Sequence, residues 1–198
     1  MQVTIQSIPA SLQEFETLAA SGKQPERICA LFLCALALFD KDRDAGTAAM
    51  NLLRGPRPMT PYDAQFLRDR LRCKAYLPLA YFEGATPENG YRPQAPYTLN
   101  VLADPRPQDI EPGYLRVFLK TAGADSPRPM KLRQKASTGE WFLWKCLLAG
   151  LAAGFVNGFF GAGGGVLAGL WFQKVPAKWL HLALGALILL GGVRLLIC

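Results

Sequence analysis

The residues with the most chemistry to offer lie in GFFGAGGGVLAGLWF, residues 158–172, where five of the eight residues from Gly158 to Gly165 are glycine. Glycine at this density either cradles phosphate with backbone N–H groups or breaks a helix inside a bilayer. Gly163, Gly165 and Ala168 fit G-x-G-x-x-A. That fingerprint needs a strand before it, a helix after it and an acidic residue about 20 positions on. No Asp or Glu occurs from Lys145 to Cys198, and no Gly-Lys-Ser/Thr is present. The nucleotide reading fails. Asp40, Asp42 and Asp44 resemble the start of a calcium loop, but Lys41 and Arg43 alternate with them and the required glycine and twelfth-position Glu are missing. They read as a solvated helix junction. The one histidine, His181, lies outside the N-terminal part, which therefore lacks the commonest general base. The five cysteines are odd in number and show no CxxC spacing, so neither a zinc site nor a disulfide framework is expected, in keeping with a reducing compartment. With no nucleophile–base pair or metal spacing visible, the sequence predicts no enzyme, no cofactor and no metal.

The elements around these residues fall into two chemically different parts. All 15 acidic residues precede Lys145, while only Lys145, Lys174, Lys178 and Arg194 of the 22 basic ones follow Trp144. The start, MQVTIQSIPASLQEF, lacks the basic and apolar regions of a secretory signal, which places the N-terminal part in the cytoplasm. ICALFLCALALF (28–39) is only 12 residues long and bounded by charge, too short to span a bilayer and right for a buried core helix. DAGTAAMNLLRG reads as a second helix with Asp44 as its N-cap, stopping at Gly55–Pro56. TPYDAQFLRDRLRCK reads as a third, with Thr60 as N-cap, Pro61 first in the helix, Asp63 completing a capping box, and Phe66, Leu67 and Leu71 as its apolar face. ENGYRPQAPY belongs to an irregular connector whose aromatics serve either loop packing or a ligand groove. Strands are expected at 97–103, 113–122, 128–135 and 140–145, with Ser137–Thr138–Gly139 as a hairpin turn. The expected fold is an α+β soluble domain over 1–144, N-terminal helices then antiparallel strands, followed by an α-helical membrane hairpin over 145–198.

That hairpin rests on two apolar runs. Residues 146–172 carry no charge, and 179–198 hold only His181 and Arg194 near their ends. Both are long enough to cross the hydrocarbon core, with Trp171, Lys174, Lys178, Trp179 and Arg194 at the membrane interface. Arg128, Lys131, Arg133, Lys135 and Lys145 precede the first run, which puts that side inside. Run 146–172 then either crosses straight or breaks at its glycines and returns, which keeps Lys174 and Lys178 inside. Run 179–198 reads as a transmembrane helix. The expected location is the inner (plasma) membrane with the first domain cytoplasmic. Anionic lipid facing residues 128–135 accounts for the basic cluster, so the bilayer is an expected partner and nucleic acid is not.

Two resemblances follow from motifs. NLLRGPRPMTPYDAQFLRDRL, YFEGATPENGYRP, GADSPRPMKLRQK and EWFLWK together resemble an uncharacterised bacterial domain family without known activity. LLAGLAAGFVNGFFGAGGGVL resembles the opening of the TauE/SafE sulfite exporter family, and KVPAKWLHLALGALILLGGVRLL its closing helix. The second likeness implies export of small sulfur-containing anions, with Asn157, Gly161, Gly163, Gly164 and Gly165 lining the anion path. The match covers about 50 residues and lacks the family's middle, so such a shortened exporter would need a homo-oligomer or a partner membrane subunit. The alternative is a membrane-anchored binding or interaction module without transport.

Overall fold

Twelve consecutive apolar residues dictate the architecture. Ile28–Phe39 lie within one helix, α2 (Pro25–Lys41), and every one of them is buried. A helix that is apolar all round has to be enclosed on all sides. The enclosure is an antiparallel five-stranded sheet in the order β1 (Gln2–Ile5), β2 (Tyr97–Ala103), β3 (Tyr114–Leu119), β4 (Arg128–Gln134), β5 (Trp141–Cys146). Helix α2 touches both edge strands, β1 and β5, so the sheet curls around it. The computed structural model describes residues 1–146 of the 198.

Three further helices close the core. The first, α1 (Leu12–Ala19), starts at Ser11, whose hydroxyl accepts from the Glu14 N–H at 3.2 Å. The next, α3 (Arg43–Arg54), follows α2 after a single residue, Asp42, which ends one helix and starts the other. Its N–H donates to the Leu38 carbonyl at 2.8 Å, and its Oδ1 accepts from the Asp44 and Ala45 N–H groups at 3.0 Å each. Asp42, rather than Asp44, is therefore the N-cap, and the aspartates at this junction terminate helices. The last, α4 (Pro61–Leu71), opens on the Thr60–Asp63 capping box, with Asp63 N–H to Thr60 Oγ1 at 3.1 Å and Thr60 N–H to Asp63 Oδ2 at 3.0 Å. Leu67 and Leu71 are buried, whereas Phe66 is exposed.

The sheet has two unlike faces, as a half-covered antiparallel sheet should. Leu99, Val101, Val117, Leu119, Met130, Leu132 and Leu143 point at the helices and are buried. On the other face, direct pairing sets Tyr114 opposite Arg133, Arg133 opposite Phe142, and Arg116 opposite Lys131.

The fold departs from the sequence reading in further ways. A strand, β1, precedes the helices and pairs with β2 from Gln2 opposite Asn100 to Ile5 opposite Tyr97. The membrane hairpin is also corrected. Among the described residues no helix is long and apolar enough to cross a membrane. The first apolar run was read from Cys146, yet Cys146 is the last residue of β5 and pairs with Met130. The rest of that run and the whole of 179–198 lie outside the described residues.

Candidate functional site

The outer face of β3–β5 gathers aromatic rings and cations. Strand periodicity brings Tyr114, Arg133 and Phe142 into one row across three strands, with their side chains on one side of the sheet. The register then slips. Leu132 pairs with Leu143 but the next residue back, Lys131, pairs with Lys145, which leaves Trp144 as the extra residue of a β-bulge. Bulges re-aim side chains, and this one sets the Trp144 ring edge-on to Tyr114, centroids 5.6 Å apart at 71°.

Cations cover both rings. The Arg57 guanidinium carbon lies 4.2 Å from the Trp144 centroid and that of Arg133 lies 4.9 Å from it. Arg133 is also 5.7 Å from the Tyr114 centroid, and Lys131 Nζ is 4.2 Å from it. Each exposed cation–ring contact contributes roughly 0.5–1 kcal/mol, which holds an otherwise mobile side chain in place.

The C-terminal end of α3 supplies the opposite wall. Gly55 ends that helix with φ of 62°, and a Cβ there would lie 2.7 Å from the Phe142 ring. Only glycine allows both the turn and the close approach. Arg54 Nε donates to the Arg57 carbonyl at 3.0 Å, which fixes the loop that delivers Arg57. Between this loop and the β4–β5 hairpin lies a cleft of about 420 Å³. Its apolar walls include Pro56, Phe142 and Trp144, and Arg54, Arg133 and Lys135 stand on its rim.

The charges around the cleft are not equally committed. Arg54 binds Asp63 at 3.3 Å and Lys23 binds Glu140 at 3.3 Å. Burial pushes the Asp63 carboxyl up, but hydrogen bonds from Thr60 and the Arg54 charge outweigh it and leave the group below its ordinary range. The Thr138 hydroxyl, then Lys23, hold the Glu140 carboxyl low as well. Arg57 and Arg133 are different. Both are exposed, and among the described residues neither has an ion-pair partner.

Such an arrangement can bind and orient an anion; it has less to offer as an acid, base or nucleophile. Burial pushes the Cys34 thiol up to about 12, despite the Arg27 charge, so it stays protonated at neutral pH. Among the described residues no cluster of His, Cys, Asp or Glu could hold a metal ion.

The residues singled out from the sequence stand elsewhere. Asn157, Gly161, Gly163, Gly164, Gly165, Trp171, Lys174, Lys178, Trp179 and Arg194 lie outside the described residues, as does His181. In ENGYRPQAPY, Tyr91 stacks on Tyr76 with centroids 4.8 Å apart and 19° between planes, which is loop packing. Sequence reasoning saw the basic run 128–135 as a membrane flank and missed that Lys131 and Arg133, two apart on a strand, share a face with Tyr114 and Trp144. Arg57 carried no signal, because only the loop after α3 brings it there.

Residues 7–154 match a family described as a domain of unknown function, DUF6935. No curated protein and no solved structure matches the chain. The exporter likeness is thereby corrected. No match to TauE/SafE is found, and the matched domain runs past β5 into the segment read as the exporter's opening. Runs of Gly, Ala and Leu serve any close helix packing, so a small-residue pattern alone is a weak mark of one family. Both readings built on a membrane hairpin, the shortened exporter and the membrane-anchored module, fall with it.

Proposed function

We propose that this chain, which belongs to the DUF6935 family, is a non-enzymatic binding module that holds a small anionic ligand with an apolar body on the outer face of β3–β5. One observation carries the reading. Arg57 and Arg133 are both held over the bulge residue Trp144, beside an apolar-walled cleft, and neither has an ion-pair partner among the described residues. Guanidinium groups fixed in this way are ready to donate to a carboxylate or phosphate with little ordering cost. The cleft volume falls in the range of small-molecule sites. A nucleic-acid strand is the poorer fit, since Trp144 and Tyr114 each have two of the protein's own cations over them, which leaves less ring for a base to stack on. Engagement of Asp63 and Glu140 in ion pairs supports binding without catalysis.

Calorimetric titration of the full chain with an aryl-anion panel of benzoate and phenyl phosphate tests this. At least one is expected to bind, and Arg57→Ala and Trp144→Ala are each expected to weaken it about tenfold, the order of a single charge-assisted hydrogen bond. Equal affinity in parent and variants, or no binding of any member, would overturn the reading.

A further inference from the structure

We infer that the charged group this site selects is a phosphate monoester, with a planar apolar body seated in the cleft. The inference rests on the proposed binding function and narrows it to one ligand class.

Charge balance comes first. Two guanidinium groups, Arg57 and Arg133, converge on one indole and have no ion-pair partner among the described residues. A carboxylate would neutralise one of them. A phosphate monoester carries a charge of about −1.5 to −2 at neutral pH, with three acceptor oxygens, and matches both. Guanidinium forks also fit phosphate geometry in a bidentate way that an ammonium cannot. Lys135 on the same rim adds a third cation within the cleft lining.

The carboxylates nearby do not cancel this field. Asp63 on α4 is bound to Arg54 and to the Thr60 N–H, and Glu140 beside the hairpin turn is bound to Lys23 and to the Thr138 hydroxyl. Glu111 faces Lys131 only at 3.8 Å and is well exposed. The apolar walls then distinguish an ester from the free ion. Pro56 and Phe142 offer nothing to inorganic phosphate but apolar surface to an aryl or comparable body.

The experiment compares phenyl phosphate, benzoate and inorganic phosphate on the full chain by calorimetry at pH 5.0 and 7.5. Arg54, Arg133 and Lys135 line the cleft, Arg57 and Lys131 lie over the Trp144 and Tyr114 rings, Lys23 lies over Phe142, and Asp63 and Glu140 are bound to Arg54 and Lys23. None is a histidine, and both flanking carboxylates are held low. A slope over this interval therefore belongs to the ligand, whose second ionisation lies near pH 6. Expected is a roughly tenfold gain for phenyl phosphate from pH 5.0 to 7.5, a flat response for benzoate, and binding of inorganic phosphate at least tenfold weaker than phenyl phosphate at pH 7.5. Arg57→Lys, at an exposed position, keeps the charge but loses the fork, and is expected to remove most of the preference for phenyl phosphate over benzoate. Benzoate and phenyl phosphate binding alike, with no pH slope, would overturn the phosphate class while anion binding stands. Inorganic phosphate binding as tightly as the ester would overturn the apolar body. Failure of all three ligands would remove the proposed function itself.

Discussion

Gly46→Ala sets two effects of opposite sign against each other. In an exposed helix, replacing glycine by alanine stabilises by about 1 kcal/mol. Gly46 is in the first turn of α3, buried against the last turn of α2, because the single-residue junction at Asp42 folds one helix tightly back on the other. A Cβ on Gly46 would fall inside van der Waals contact of the Phe39 backbone N and Cα. That obstacle is main chain in a helix buried on all sides, so no side-chain rotation relieves it. Overpacking of this kind costs about 1–3 kcal/mol, and a backbone obstacle argues for the upper end. The packing cost wins, leaving a net destabilisation of about 2 kcal/mol. For a chain of this size, about 2–4 °C per kcal/mol turns that into a Tm lower by roughly 4–8 °C. Thermal melts and urea titrations followed by far-UV circular dichroism read the effect, with an unchanged m value as the sign that the unfolded state is not responsible. A Gly46→Ala protein as stable as the parent, or more so, would refute the close approach of α2 and α3.

Three other substitutions probe separate links. Leu36 is fully buried in mid-α2, so Leu36→Ala should cost about 2–5 kcal/mol in urea unfolding, the range for a cavity that neighbours only partly fill. Gly55→Ala should push the Phe142 ring out of the cleft wall and weaken aryl-anion binding more than it lowers stability, as calorimetry beside a thermal melt would show. Asp104 is held below the ordinary carboxylate range chiefly by its hydrogen bond from Arg116, Nε to Oδ2 at 2.7 Å. A depressed folded-state value gives stability that is present above the unfolded value of about 3.9 and lost as pH falls through the folded one. Asp104→Asn should therefore be less stable than the parent at pH 7, with the gap closing below about pH 4; urea midpoints at pH 7 and pH 2.5 decide it.

How much was legible depended on whether the determining interactions were local. The charge-bounded run 28–39 announces a buried helix, and Thr60-Pro61-x-Asp63 writes its own helix start, because capping acts within four residues. The segments that became β2–β5 are marked by apolar and aromatic runs between turn residues. β1 was missed because QVTI offers only Val3 and Ile5 as a pattern, and its partner lies about 95 residues away at 97–100. α1 was missed although Ser11 and Glu14 have capping-box spacing. The candidate site was almost illegible. Alternation places Lys131 and Arg133 on one face, but a one-residue slip in pairing aims Trp144 and a loop brings Arg57, and neither is a local property. The glycines from 161 to 165 drew attention by density, spacing and a family resemblance, and they lie outside the described residues.

The most direct test is a side-chain nitrogen NMR titration of the full chain with phenyl phosphate, observing the Trp144 indole N–H and the Arg57 and Arg133 Nε–H signals. The account predicts that all three move together along one saturable isotherm, and that Arg133→Ala abolishes the movement of the other two. Signals that stay still while the ligand binds, or that move only around Tyr76 and Tyr91, would contradict it.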